Sequence, residues 1–129
     1  MELVRYLHTA LTVNDLERSQ HFYGEILGLK LVQRDLKFPG CWYELHGIQI
    51  HLIYQPHPPV PLADPERWGR NPHLALAVMD LAQAAQELVA AGYPVQPSSS
   101  GRAALCTRDP DGYVVELSQW EPELHPDRP

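Results

Sequence analysis

The chain repeats itself at an offset of 65 residues, and that constrains its fold more than any other feature. HTALTVNDLERS begins at His8 and HLALAVMDLAQA at His73. Ala10/Ala75, Leu11/Leu76, Val13/Val78, Asp15/Asp80 and Leu16/Leu81 all obey the offset, as do Gly47/Gly112, His51/Glu116 and Leu52/Leu117. A chain of 129 residues is thereby divided into two modules, about 1–60 and 66–121, within a single domain spanning 1–121.

Each module reads as βαβββ, an α+β plan used twice. In the first, 5–13 alternates as a strand, and Asn14 with Glu17 reads as a helix cap. Leu16, Phe22, Tyr23, Ile26 and Leu27 give a helical apolar face that Gly28 stops. Strands follow near 29–36, 41–46 and 48–55. In the second, a strand at 72–79 leads to a helix capped by Asp80 and Gln83 and ending at Gly92. Strands then follow near 93–97, 102–108 and 113–120, with the turn DPDG at 109–112. PPVPLADPERWGR at 58–70 joins the modules as a rigid linker, with Trp68 and Arg67 or Arg70 candidates for a pocket mouth. EPELHPDRP has no periodicity, so 122–129 is expected to be a flexible tail.

The first strand of each module has one bulky and one small face. Leu7, Thr9, Leu11 and Val13 oppose His8, Ala10 and Thr12, while Leu74, Leu76 and Val78 oppose His73, Ala75 and Ala77. Small residues beside a histidine leave room for a ligand. A mid-strand carboxylate at Glu116 needs a partner if buried. The separation His8 to His51 equals that of His73 to Glu116, 43 residues in each case. Two modules facing each other about a pseudo-twofold axis would bring all four side chains to one point. Imidazole nitrogen and carboxylate oxygen there suit one divalent ion per site: Zn, Ni, Mn, Co or ferrous iron. A single such residue reads more simply as a hydrogen-bonded structural group, but four at equivalent positions read as a ligand set.

The net charge of −6 disfavours nucleic-acid and acidic-membrane partners. No window has the length of a membrane span, and MELVRYLHTA lacks the pattern of a signal peptide. With two cysteines, Cys41 and Cys106, a reducing cytoplasmic setting is expected. These cysteines also obey the offset, which marks equivalent strand positions. His21, His46, His57 and His125 read as surface residues; Tyr43, Tyr54 and Trp120 read by default as core, at positions that also suit a cup wall.

The stretches LHTALTVNDLERSQHFYGEILGLKLV, WYELHGIQIHLIY, PHLALAVMDL and TRDPDGYVVELSQ, spanning about 1–120, resemble the vicinal oxygen chelate superfamily. Glyoxalase I, fosfomycin-resistance thiol transferases, extradiol dioxygenases and bleomycin-resistance proteins belong to it. The resemblance implies a cupped, mainly antiparallel mixed sheet around a divalent metal held by His8, His51, His73 and Glu116, usually in a homodimer. It implies a small oxygenated substrate bound through vicinal oxygens. For a glyoxalase-I-like lyase or isomerase, the resemblance makes Glu116 a ligand and base, and His51 the second catalytic candidate, at the position where glyoxalase I carries a glutamate that takes part in proton transfer. His8, His73 and Glu116 equally match the triad of the fosfomycin and dioxygenase branches. The fosfomycin branch would use a basic, hydroxyl-rich pocket, for which Arg102, Arg108 and Ser98–Ser100 are candidates. Retention of all four ligands argues against a non-catalytic drug-binding module.

Overall fold

Each repeat builds its own four-stranded sheet. The computed structural model describes residues 1–123, so His125 and all but the first two residues of the expected tail lie outside the described residues. The chain divides into two compact units, Met1–Pro58 and Pro59–Pro129, with the boundary inside the proline-rich stretch.

Unit 1 contains β1 (His8–Val13), α1 (Leu16–Gln20), a π-helical turn (His21–Ile26), β2 (Lys30–Val32), β3 (Gly40–Leu45) and β4 (Ile48–Tyr54). The strand order is β1-β4-β3-β2; β1 and β4 are parallel, and the other pairs antiparallel. The α+β expectation is met by a mixed sheet. β1 is shorter than 5–13 because β4, its ladder partner, begins only at Ile48, opposite residue 7. β2 stops at Val32, opposite Trp42, rather than at 36. The helix cap is Asp15, whose side chain accepts from the Arg18 N–H, not the expected Asn14. Asn14 Oδ1 instead accepts from the backbone N–H of His57.

The continuous first helix expected from the apolar face becomes π-helical, with the Leu27 N–H reaching back five residues to the Phe22 carbonyl. The buried Tyr43 packs against this turn, its hydroxyl 3.5 Å from the Gln20 carbonyl. A Cβ at Gly24 would lie 2.9 Å from that hydroxyl, so a larger residue there would have to displace the Tyr43 ring. Val13, Phe22, Tyr23 and Leu52 are fully buried beneath the sheet. Each such side chain contributes roughly 1.5–3 kcal/mol of burial. The β3–β4 hairpin closes on His46 and Gly47, both at positive φ, the two-residue turn that suits a twisted hairpin.

Unit 2 contains a 3₁₀ turn (Trp68–Arg70), β5 (His73–Val78), α2 (Leu81–Ala90), β6 (Val95–Pro97), β7 (Ala104–Arg108) and β8 (Val114–Gln119). Its order, β5-β8-β7-β6 with β5 and β8 parallel, repeats unit 1. Asp80 caps α2 by accepting from the Gln83 N–H, as expected, and Gly92 at φ 85 follows the helix. The 109–112 turn is built on Asp109 Oδ1, which accepts from the N–H groups of Asp111 and Tyr113. Leu88, Val115 and Leu117 form the core. On β5 the bulky residues are half-buried while His73, Ala75 and Ala77 are exposed, as their alternation predicts.

Candidate functional site

The parallel register of β1 and β4 sets Ala10 beside His51, so His8 and His51 share one face. Their rings stack with centroids 4.1 Å apart. Across the antiparallel register, Trp42 lies opposite His51 and stacks on its other face at 3.7 Å. The Arg34 guanidinium covers the indole at 4.1 Å. His51 Nε2 lies 2.8 Å from Gln49 Oε1, a carbonyl acceptor, so this nitrogen carries the proton. Desolvation, then the neighbouring charges of His8 and Arg34, hold His51 below the ordinary imidazole pKa. It therefore stays neutral, the ligating form.

In unit 2, Ala75 lies beside Glu116, and His73 Nε2 is 3.4 Å from Glu116 Oε2. His73 Nδ1 donates to the Asn71 carbonyl at 2.7 Å. That bond leaves the lone pair on Nε2, the arrangement metal-binding histidines adopt. Glu116 is buried, and its Oε1 accepts from Arg102 at 2.6 Å and from the Ser118 hydroxyl at 3.2 Å. The four predicted residues thus form two pairs, His8 with His51 in unit 1 and His73 with Glu116 in unit 2. Among the described residues, no group of three or more His, Cys, Asp or Glu side chains is placed to hold a metal ion.

A cavity of about 230 Å³ opens beside Glu116, lined by Arg67, Arg70, Arg102, Cys106 and Ser98–Ser100 among others. Three guanidinium-bearing side chains and three hydroxyls around one carboxylate suit an anionic group. Arg67 and Arg70 occupy the wall assigned to one or the other. Trp68 is held elsewhere, its indole donating to the Pro65 carbonyl. Arg108, expected in the pocket, instead donates to the carbonyls of Gly112 and Val60. Asn71, which sequence reasoning missed, is buried and organises the loop. Its side-chain amide donates to the carbonyls of Asp64, Arg67 and Trp68 and accepts from the Asp64 N–H. The linker stretch is therefore tied into unit 2 and supplies cavity wall.

Several other expectations change. Cys41 and Cys106 are not at equivalent strand positions. Cys41 pairs with Leu52, whereas Cys106 pairs with Glu116, the counterpart of His51. The ladder has slipped by one residue, so Cys106 takes the place of Trp42 and faces the cavity. His57 is half-buried, with Nε2 2.9 Å from the Thr12 carbonyl and Nδ1 2.6 Å from that of Pro58. Tyr54 is exposed, whereas Tyr43 is core. His21 and His46 are at the surface as expected. No helix among the described residues is long and apolar enough to cross a membrane.

Residues 5–117 match the family model described as the Glyoxalase/Bleomycin resistance protein/Dioxygenase superfamily. A "Probable lactoylglutathione lyase" of Vibrio cholerae is 33% identical, covering 89% of this chain and 90% of the relative. The lactoylglutathione lyase of Escherichia coli is 31% identical, covering 88% of this chain and 91% of its own. The crystallised trypanothione-dependent glyoxalase I of Leishmania major superposes with a TM-score of 0.71 at 27% identity, covering 91% of this chain and 87% of that one.

Proposed function

The chain belongs to the glyoxalase/bleomycin resistance/dioxygenase superfamily, and on that premise we propose that it is a divalent-metal-dependent enzyme, a glyoxalase-I-like lyase or isomerase. Its substrate is a small oxygenated molecule carrying an acidic group. The observation that carries this reading is His73, whose Nδ1–H is held by the Asn71 carbonyl while its Nε2 faces the buried Glu116 carboxylate. In this reading His8, His51, His73 and Glu116 hold the ion. The donor set fits by its chemistry, since neutral imidazoles and a carboxylate are suited to Zn, Ni, Mn, Co or ferrous iron, and it requires the stacked His8 and His51 rings to part. When bound, the ion supplies Lewis acidity toward the substrate's vicinal oxygens.

The remaining chemistry falls to the chain. In a hemithioacetal isomerisation, a base removes the proton from the carbon bearing sulfur and hydroxyl, and a proton is returned to the neighbouring carbonyl carbon. A thioester results with no external oxidant or reductant. In this reading Glu116 is that base, whereas His51, with Nε2–H given to Gln49 and its other nitrogen to the ion, keeps no lone pair for proton transfer. Arg67, Arg70 and Arg102 orient an anionic tail in the cavity. The same cavity supports a second reading, a fosfomycin-type thiol transferase, because it is basic and hydroxyl-rich and because His8, His73 and Glu116 match that branch's triad. The polar lining runs counter to a module for apolar drugs. Assembly as a homodimer belongs to the proposal; a monomeric mass in sedimentation would contradict it.

Metal-loaded protein given the hemithioacetal of methylglyoxal and glutathione should form thioester, followed by absorbance. Glu116→Gln should lose about 10²-fold or more of that rate, as expected for a general base. Inertness toward the hemithioacetal with thiol addition to an epoxide substrate would replace the leading reading by the second.

A further inference from the structure

Trp42 is placed at a cost that core filling does not explain. Its indole Nε1 is buried without a hydrogen-bond partner. An orphaned donor of this kind is destabilising, and a phenylalanine or leucine of similar reach would avoid it. What the indole gains is its face. It lies 3.7 Å from the His51 ring with an interplanar angle of 6°, and His8 covers the opposite side at 4.1 Å. Arg34, on the segment that has just left β2, folds back over the outer indole face. The order Arg34, Trp42, His51, His8 is a continuous stack.

The repeat shows that the fold does not require this. In unit 2 the position facing Glu116 is Cys106, and its small side chain borders the open cavity. In unit 1 the corresponding space beside His51 is filled by the indole. One module therefore keeps its cavity, and the other gives that volume to a clamp.

We propose that Trp42, capped by Arg34, is a positioning residue that fixes the plane of the His51 ring for metal binding. The proposal rests on the metal-enzyme reading above. With Trp42 on one face and Nε2 tied to Gln49, the imidazole cannot turn about its ring torsion without giving up both contacts, whereas His8, stacked parallel on the other face, has to swing off it to share the ion. Groups that orient a ligating side chain typically govern metal affinity by about 10–100-fold. Trp42 touches neither substrate nor ion in this role; it acts through His51.

The test compares wild type with Trp42→Leu, Trp42→Phe and Arg34→Gln, each checked for fold by circular dichroism. Calorimetric titration of chelator-stripped protein with nickel gives the affinity. The His51 ring-proton resonances, assigned with His51→Gln, report the stacking without metal. Trp42→Leu should weaken nickel binding about 10-fold or more, with Arg34→Gln intermediate and Trp42→Phe close to wild type. The His51 ring protons should lie upfield in wild type and move downfield in Trp42→Leu. Nickel affinity unchanged in a folded Trp42→Leu overturns the positioning role while leaving the metal reading intact. A Trp42→Phe that binds as weakly as Trp42→Leu overturns it too, since aromatic stacking would then not be the cause. If Trp42→Leu fails to fold, the Phe and Gln variants decide by the same criteria, and wild-type affinity in Arg34→Gln counts against the cap. Failure of wild type to bind nickel or any of the other four ions overturns the metal reading, and the positioning role with it.

Discussion

Arg102 donates to Glu116 Oε1 at 2.6 Å across a boundary of exposure, the guanidinium side chain 63% exposed and the carboxylate side chain 11%. A buried carboxylate needs such a counter-charge, but the exposed half of the pair is screened by solvent. Arg102→Gln should therefore cost about 1–2 kcal/mol of stability, between the values for surface and buried pairs. Urea unfolding at neutral pH measures it. A loss indistinguishable from zero would mean that Glu116 is adequately solvated without its partner.

His51 gives the metal-free protein a pH dependence of defined sign. Its folded pKa lies below 6.5, chiefly through desolvation and then through His8 and Arg34. The unfolded chain thus binds more protons there than the native one. The stabilisation from His51 is complete above about pH 6.5 and is lost as pH falls toward the depressed native value. Across that window it removes up to about 1.4 kcal/mol per pH unit. Urea melts of chelated protein between about pH 5 and 7.5 should show this slope, and His51→Gln should flatten it. Equal slopes would contradict the assignment to His51.

Gly40 opens β3 beside β4, and a Cβ there would lie 2.3 Å from the Leu52 carbonyl oxygen. The obstructing atom is backbone beside His51, so it cannot move away as a side-chain end can. Gly40→Ala should destabilise by about 1–3 kcal/mol or more. It should also weaken metal binding, because β4 must shift. Thermal melts and nickel titration measure the two effects, and wild-type values for both would show that the hairpin yields freely.

Both thiols are raised in pKa. Burial is the main cause for each, and the Glu116 charge adds to it at Cys106. Native protein at pH 8 should react slowly with an aromatic disulfide reagent, with Cys106 ahead of Cys41 because it borders the cavity. An anionic substrate analogue should slow Cys106 specifically. Fast, equal labelling of both would contradict the burial and the placement.

The repeat made the βαβββ plan and the pairing of His8 with His51 and His73 with Glu116 legible, because side-chain period and module offset are written in the sequence itself. The one-residue slip that puts Cys106 opposite Glu116 was not legible. Cross-strand register depends on the connecting turns, and the His46–Gly47 turn is shorter than the Asp109-based one. The π-helical turn was hidden for a related reason, since an apolar helical face does not reveal that Tyr43 will claim the space over Gly24. The stack on His51 and the Arg102–Glu116 pair join residues whose sequence separation carries no periodic signal. The cap moved from Asn14 to Asp15, although the Asp15/Asp80 match in the repeat already contained the correct answer.

The central claim is that His8, His51, His73 and Glu116 hold one divalent ion per site. Calorimetric titration of chelator-stripped protein with zinc, nickel, manganese, cobalt and ferrous iron tests it most directly. The account predicts saturable uptake of at least one of these at micromolar concentration or below, with His73→Ala weakening it about 100-fold. Absence of uptake of all five by folded protein, or binding that survives His73→Ala unchanged, would contradict it.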